Sequence, residues 1–238
     1  IERSTDVFLF PILGLVLWGF LASYVQEFTT GFAGFLIGAM ILWVVYERVS
    51  TSVGVDFMYD VWERNLMNFL ASGITTAEYV FGLLLVALVK VLVSFMAMWL
   101  VASLFFGFSV FDMGLPLAAF WTNLIIFAMS LGIFNVAIVM RYGNSVGPLT
   151  WVLPFVIQPF AAVFYPVSVL PPILQKIAGL LPISHVFEGM RYTLSTGNFR
   201  TQEFFTAFIL NVIYLVIVIL FFAYMFNLVK KKGTLVKL

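Results

Sequence analysis

Phe204-Phe-Thr-Ala-Phe-Ile-Leu-Asn-Val-Ile-Tyr-Leu-Val-Ile-Val-Ile-Leu-Phe-Phe-Ala-Tyr-Met-Phe-Asn-Leu-Val229 contains no charge and is closed by Lys230, Lys231 and Lys232. A helix that crosses the hydrocarbon core of a bilayer needs about 20 such residues. Working back from this run, the same pattern recurs at Val7–Val25, Phe28–Tyr46, Met113–Met140 and Tyr142–Gln175. A further run, Tyr79–Phe111, is interrupted only by Lys90. Unpaired backbone groups are too costly in lipid for any state but helix in such runs. The sequence predicts an all-α, polytopic membrane protein with six transmembrane helices, near 6–25, 30–55, 76–106, 114–140, 147–170 and 204–229.

Composition points the same way. The chain has 238 residues, of which 63% are hydrophobic and 10% charged, and its mean hydropathy is +1.11. A soluble domain carries about 25% charged residues. A net charge of +1 excludes a strongly basic nucleic-acid binder. With no cysteine there is neither a disulfide framework nor a thiolate nucleophile or ligand. One histidine, His185, does not make a multi-histidine metal site. Six spans leave little chain for a soluble domain, so 1–238 is taken as a single transmembrane domain. The first apolar run is too long for a cleavable signal and lacks a small-residue cleavage site. The chain opens at Ile1 rather than Met, which leads us to expect residues upstream.

Charge sets an expected orientation. The connections Gln26–Gly31 and Gly107–Leu115 hold no Lys or Arg. The opposite side carries Arg3, Arg48, Arg64, Arg141 and the lysines that follow Val229. Basic residues near span ends stay cytoplasmic. Both termini are therefore expected inside, which an even span count allows. Lys176, Arg191 and Arg200 lie on the outer side as exceptions, partly offset by Glu188 and Glu203.

Three segments depart from simple spans. Between spans two and three, Asp60 is placed to cap a helix from Val61, with Glu63 completing the box. On that helix Trp62, Leu66, Phe69 and Leu70 share one face, and Arg64, Asn65 and Asn68 the other. It reads either as a surface helix that tidies the connection or as a docking element at 60–71 presenting Asp60, Glu63, Arg64, Asn65 and Asn68. Thr75-Thr-Ala-Glu78 is a second capping box, opening span three. After span five, Pro166, Pro171, Pro172 and Pro182 bound an apolar stretch, Ile173–Leu181, too short to cross. A second short helix, Ser184–Leu194, is expected to start with Ser184 as its cap. Segment 171–196 reads either as an outer re-entrant helical hairpin, with Glu188 and Arg191 paired as an outer gate, or as a loop on the interface. Finally, Lys90 lies about 18 Å along its helix from Glu78. An intramembrane charge is costly and faces a partner or cavity. Glu47, nearest in depth, is the candidate partner; snorkelling without a functional role is the alternative.

This order of features resembles the membrane (permease) subunit of type-2 ABC exporters, over nearly the whole chain. The carriers are Asp60-Val-Trp-Glu-Arg-Asn-Leu-Met-Asn-Phe-Leu70 followed by Gly73 and Glu78-Tyr-Val80, then Phe164-Tyr-Pro-Val-Ser-Val-Leu-Pro-Pro172, Leu181-Pro182 and Phe187-Glu-Gly-Met-Arg191. The resemblance implies that the first tract is a cytoplasmic coupling helix and the second an outer hairpin. It implies a homodimer in the bacterial or archaeal cytoplasmic membrane, with spans one, two and five lining the path. It also implies a separate cytoplasmic ATPase, which would hold the ATP and Mg. The chain departs from the pattern in having only about six residues ahead of span one, where an amphipathic helix is usual.

No G-x-x-x-x-G-K-[ST] loop occurs, since Gly143-Asn-Ser-Val-Gly147 runs into Pro148. No catalytic residue, metal site or resident cofactor is expected on this chain. Phe155, Phe160, Phe164 and Tyr165 are candidates to stack on a substrate, with a lipid-facing aromatic belt as the alternative. Polysaccharide, glycolipid and hydrophobic drug all remain open as substrates. A self-sufficient channel or ion-coupled carrier would call for several intramembrane carboxylates or inverted repeats, and no internal repeat is seen. An intramembrane enzyme lacks a nucleophile–base pair.

Overall fold

The computed structural model describes residues 8–26, 32–63, 65, 68–69 and 72–232. Every regular element among them is helical. Eight α-helices follow in order: α1 Phe10–Gln26, α2 Phe32–Trp62, α3 Thr76–Phe106, α4 Leu115–Tyr142, α5 Leu149–Ile157, α6 Pro172–Gly179, α7 Pro182–Thr196 and α8 Thr201–Lys232. Four stretches are long and apolar enough to cross a membrane: Ala33–Trp62, Thr76–Phe106, Leu115–Tyr142 and Thr201–Lys231. Phe10–Val25 is a shorter apolar helix.

The ends of α3 follow the expected chemistry. Thr75 Oγ1 accepts from the Glu78 backbone N–H at 3.3 Å, and the Glu78 carboxylate accepts from Thr75 N at 2.8 Å. Gly107 then ends the helix at φ +62°, a conformation that suits a residue without Cβ. A continuation past Gly107 would need that left-handed residue to turn back into the helical region.

α2 is the central helix. Ile41, Leu42, Val45, Tyr46, Val49, Val53 and Phe57 are buried and share one broad side of it. It packs against α1, α3, α4 and α5. Close approach to α4 needs Gly132, where an added Cβ would lie 2.8 Å from Val53 Cβ. Small residues at such crossings let backbones approach when lipid supplies no hydrophobic drive between helices. α8 instead packs on α4 and α7 and turns an apolar face outward. Its buried Asn211 donates through Nδ2 to Asn123 Oδ1 at 2.9 Å, pinning the α4–α8 register.

The structure departs from sequence expectation in three places. The fifth apolar run is not one helix over 147–170. α5 stops at Ile157, the chain turns through 158–165, and a 3-10 turn follows at Val167–Val169. Pro159 removes a donor and disfavours helix in the residue before it, and Ala162 then takes φ +52°. Second, α2 runs through to Trp62, so Asp60 lies inside a helix instead of capping one. Third, α7 begins at Pro182, not at Ser184. Pro suits a first helical turn because its missing N–H would be unpaired there anyway. Ser184 sits inside the helix and donates to the carbonyls of Ala178 and Leu181.

Candidate functional site

A cavity of about 640 Å³ opens between α1, α2, α3 and α5. α2 supplies most of its wall. Residues 40, 43, 44, 47, 48, 51, 52, 55, 56 and 59 recur at helical spacing and form one stripe, and Glu63 follows just past the helix end. Phe10, Pro11 and Gly14 close it from α1, Lys90 and Ser94 from α3, and Trp151 and Phe155 from α5.

The stripe is chemically divided along its length. Met40, Trp43 and Val44 are apolar and face Trp151 and Phe155. The Trp43 and Phe155 rings lie 6.3 Å apart. From Glu47 onward the wall is mostly polar, with Arg48, Thr51, Ser52, Asp56, Tyr59 and Glu63 around Val55. At 1.5 Å per residue the polar part, Glu47 to Tyr59, extends about 18 Å along the helix.

Two ion pairs sit in the polar part. Lys90 Nζ lies 2.6 Å from Asp56 Oδ2 and 2.8 Å from Oδ1, and donates to Ser52 Oγ at 3.1 Å. Ser52 Oγ also donates to Asp56 Oδ2, at 3.1 Å. Arg48 Nε meets Glu47 Oε2 at 3.3 Å. The expected Glu47–Lys90 pair is thus corrected: the partner of Lys90 is Asp56. Depth alone selects Glu47, but helical side chains lean toward the N-terminus of their own helix. The long Lys90 side chain is carried toward Thr76, where the end of α2 presents Asp56. Nearer that end, the Tyr79 hydroxyl donates to the Asp60 carboxylate and ties α3 to α2 a second time.

The predicted docking segment is described only in part. Arg64 lies outside the described residues. Glu63 Oε2 accepts from Asn65 Nδ2 at 2.9 Å, Asn68 is exposed, and the Phe69 ring packs 5.5 Å from Tyr79. Asp60 faces Tyr79.

The opposite end of the bundle holds Glu188 and Arg191, and they do pair, at 2.8 Å. Their other hydrogen bonds go to backbone. Glu188 Oε1 accepts from Val167 N at 2.7 Å, and Arg191 Nη2 donates to Ala162 O and Tyr165 O, both at 2.8 Å. The guanidinium also stands 4.7 Å over the Phe35 ring of α2. The pair therefore fastens the irregular stretch after α5 to α7 and α2. His185 links three elements nearby, with Nδ1 2.6 Å from Glu203 Oε2 and Nε2 3.0 Å from Gly179 O.

The four candidate aromatics separate. Phe155 lines the cavity. Phe164 stacks on Trp18 of α1 with centroids 4.6 Å apart, and the Tyr165 hydroxyl donates to Pro159 O at 2.6 Å. Phe160 lies in the turn after α5, half-buried. The cavity also uses residues the sequence did not single out: Asp56, Arg48, Trp43 and Trp151. Their signal was a polar and aromatic stripe at helical spacing inside an apolar helix. Among the described residues no group of three or more His, Cys, Asp or Glu is placed to hold a metal.

The family described as ABC-2 type transporter matches residues 3–195 of this chain. That span holds the whole cavity wall and ends within α7. No curated protein matches the chain.

Proposed function

The chain belongs to the ABC-2 type transporter family as its integral membrane permease, and on that premise we propose that it forms the substrate path of an ATP-driven exporter. The carrying observation is a cavity walled by α1, α2, α3 and α5 that joins an aromatic, apolar part to a polar part carrying Glu47, Arg48, Asp56 and Lys90. A second copy would face it across α1 and α5, where Leu13, Leu17, Phe20, Val152 and Val156 leave apolar surface exposed. Six crossings of the bacterial or archaeal cytoplasmic membrane, with both termini cytoplasmic, would place the cavity mouth at Glu63 beside the coupling segment 60–71. A separate ATPase docks there and holds the ATP and Mg. α6 and α7 act as an outer re-entrant hairpin; the burial of Ile183, Val186, Phe187 and Met190 supports that placement over a loose loop. Closure of the ATPases would push the coupling segments and turn α2 and α3 together, a rigid-body switch between two states.

The test is reconstitution with a separate ATP-binding cassette ATPase. ATP-driven uptake into inverted vesicles is expected, and the double change Glu63→Ala with Arg64→Ala should uncouple it or weaken co-purification. Unchanged coupling would remove segment 60–71 as the docking element. A functional monomer in lipid would remove the homodimer.

A further inference from the structure

At the end of the bundle away from the hairpin, acids and bases are treated unequally. The described carboxylates there are engaged: Asp56 holds Lys90, Asp60 accepts from Tyr79, Glu63 from Asn65 and Glu78 from Thr75. All four stand on α2, just past it or in the first turn of α3. α4 and α8 finish at the same end with bases instead: Arg141, then Lys230, Lys231 and Lys232. α4 holds no acid, and none follows Glu203 in the chain. Among the described residues Arg48, Lys90, Arg191 and Arg200 each meet a carboxylate, whereas no ion pair reaches Arg141, Lys230 or Lys231.

The packing of α4 on α8 gathers these bases. The two helices run parallel: Asn123 bonds to Asn211, the Phe127 and Tyr214 rings lie 5.4 Å apart, and the Phe134 and Phe221 rings 5.3 Å. Carried on at the same step, Arg141 and Tyr142 stand level with residues 228–230. Depth follows from length. The uncharged run Phe204–Val229 is about 39 Å long at 1.5 Å per residue, against a hydrocarbon core of about 30 Å. The bases therefore lie in the headgroup layer of a bilayer that α8 crosses. Direction follows from the face. Ile217 and Tyr224 belong to the exposed apolar face of α8, and Lys231, one heptad beyond Tyr224, continues it. Tyr142 is exposed too, with the Arg141 guanidinium 5.7 Å over its ring. Tyrosines at this depth sit with the ring at the apolar boundary and the hydroxyl among headgroups.

We propose that the α4–α8 corner binds the headgroup of an anionic phospholipid. Arg141, Lys230 and Lys231 meet its phosphate, and Tyr142 and Tyr224 lie beside the start of its acyl chains. A soluble partner beneath the bundle fits less well, because Lys231 shares the face that α8 turns to lipid. In the topology proposed above this is the cytoplasmic leaflet, where anionic lipid attracts juxtamembrane bases.

The probes are phosphatidylglycerol and phosphatidylcholine with identical acyl chains, titrated onto the full chain in detergent and counted by native mass spectrometry. Phosphatidylglycerol is expected to bind about tenfold more tightly, weakening with salt. Lys230→Ala with Lys231→Ala, exposed changes at a helix end, should remove most of that preference, and Arg141→Ala about threefold of it. Arg replacing both lysines should keep it. Lys176→Ala, an exposed base on α6 at the other end, is the control and should change nothing. An unchanged preference in the double-alanine variant overturns the proposal. So does an equal loss from Lys176→Ala, which would make net charge the cause. Inorganic phosphate that displaces the lipid better than chloride at equal ionic strength overturns it in favour of a soluble anion. Intact lipid preference with lost co-purification of the ATPase overturns it in favour of a protein contact. The measurement needs no transport, so failure of the exporter reading leaves it standing, and its failure leaves the exporter reading standing.

Discussion

The two ends of this bundle use charged residues in opposite ways. In the cavity, Lys90, Asp56, Arg48 and Glu47 meet one another and line open space. At the hairpin end, Glu188 and Arg191 meet each other once and spend their remaining bonds on the backbone of residues 162, 165 and 167. A side chain bonded to backbone holds shape, because removing it orphans groups that cannot move away. Charges paired with charges beside a cavity can exchange partners. The hairpin end is built to keep a broken helix in one form, whereas the cavity end keeps its polar groups available.

The largest effect should therefore come from the hairpin end. Arg191→Ala leaves Glu188 without its cation and orphans the Ala162 and Tyr165 carbonyls. Loss of one partner from such a shielded pair costs about 3–5 kcal/mol. The thermal unfolding midpoint in detergent should fall clearly. Arg191→Lys should recover only part of it, since an ammonium lacks the planar fork that reaches two carbonyls and a carboxylate. Full recovery by lysine would show that only the charge matters there, and the contrast between the ends would weaken.

Second in size is the cavity pair. Lys90→Ala strands the Asp56 carboxylate, at a cost of about 2–4 kcal/mol, because the site is shielded yet borders open space. The double change with Asp56→Ala should return most of the loss, and a double-mutant cycle reads the coupling. A double variant no better than Lys90→Ala would mean that Asp56 is held by more than Lys90. The cavity end would then resemble the hairpin end.

How much of this was legible in the sequence follows from the range of each interaction. Long apolar runs, charge-free or broken only by Lys90, are a local signal, and they gave α1, α3, α4 and α8 close to their observed limits. The Thr75–Glu78 box and the Glu188–Arg191 pair lie within four residues of each other and were read correctly. The partner of Lys90 was misassigned because depth was counted along the axis while the lean of the side chain was ignored. Asp60 was misread because its neighbourhood carries a genuine capping pattern. What overrides it is a long-range bond from Tyr79, which lets α2 run on to Trp62. The cavity itself needs α5 to fold back against α2, and no local pattern in either helix announces that meeting.

Tyr79→Phe comes third. It removes a single hydroxyl and leaves the Asp60 carboxylate near the end of α2, where water can replace the lost donor. The expected cost is about 1–1.5 kcal/mol. Because this bond joins α2 to α3 beside the segment proposed to dock the ATPase, ATP-driven transport should fall more than stability does. A transport rate unchanged within error would show that α2 and α3 move together without it.

The smallest stability effect is expected at Phe155, and it sharpens the comparison most. Phe155 is 52% exposed and lies at the cavity wall opposite Trp43. Truncating a half-exposed side chain that orphans no polar group should shift stability by about 0.5 kcal/mol or less. If the cavity end is built for binding, Phe155→Ala must nonetheless change transport or ligand affinity several-fold while the unfolding midpoint stays put. Phe164 is the internal control. It carries the same ring a few residues on, but it is stacked on Trp18 at 4.6 Å. Phe164→Ala should therefore lower the midpoint through lost packing, by about 1–3 kcal/mol, with no selective effect on binding. Measured side by side, the pair separates a residue that serves the cavity from one that serves the fold. If Phe155→Ala lowers the midpoint as much as Phe164→Ala and leaves affinity unchanged, the aromatic wall is packing and the division between the two ends fails at that wall.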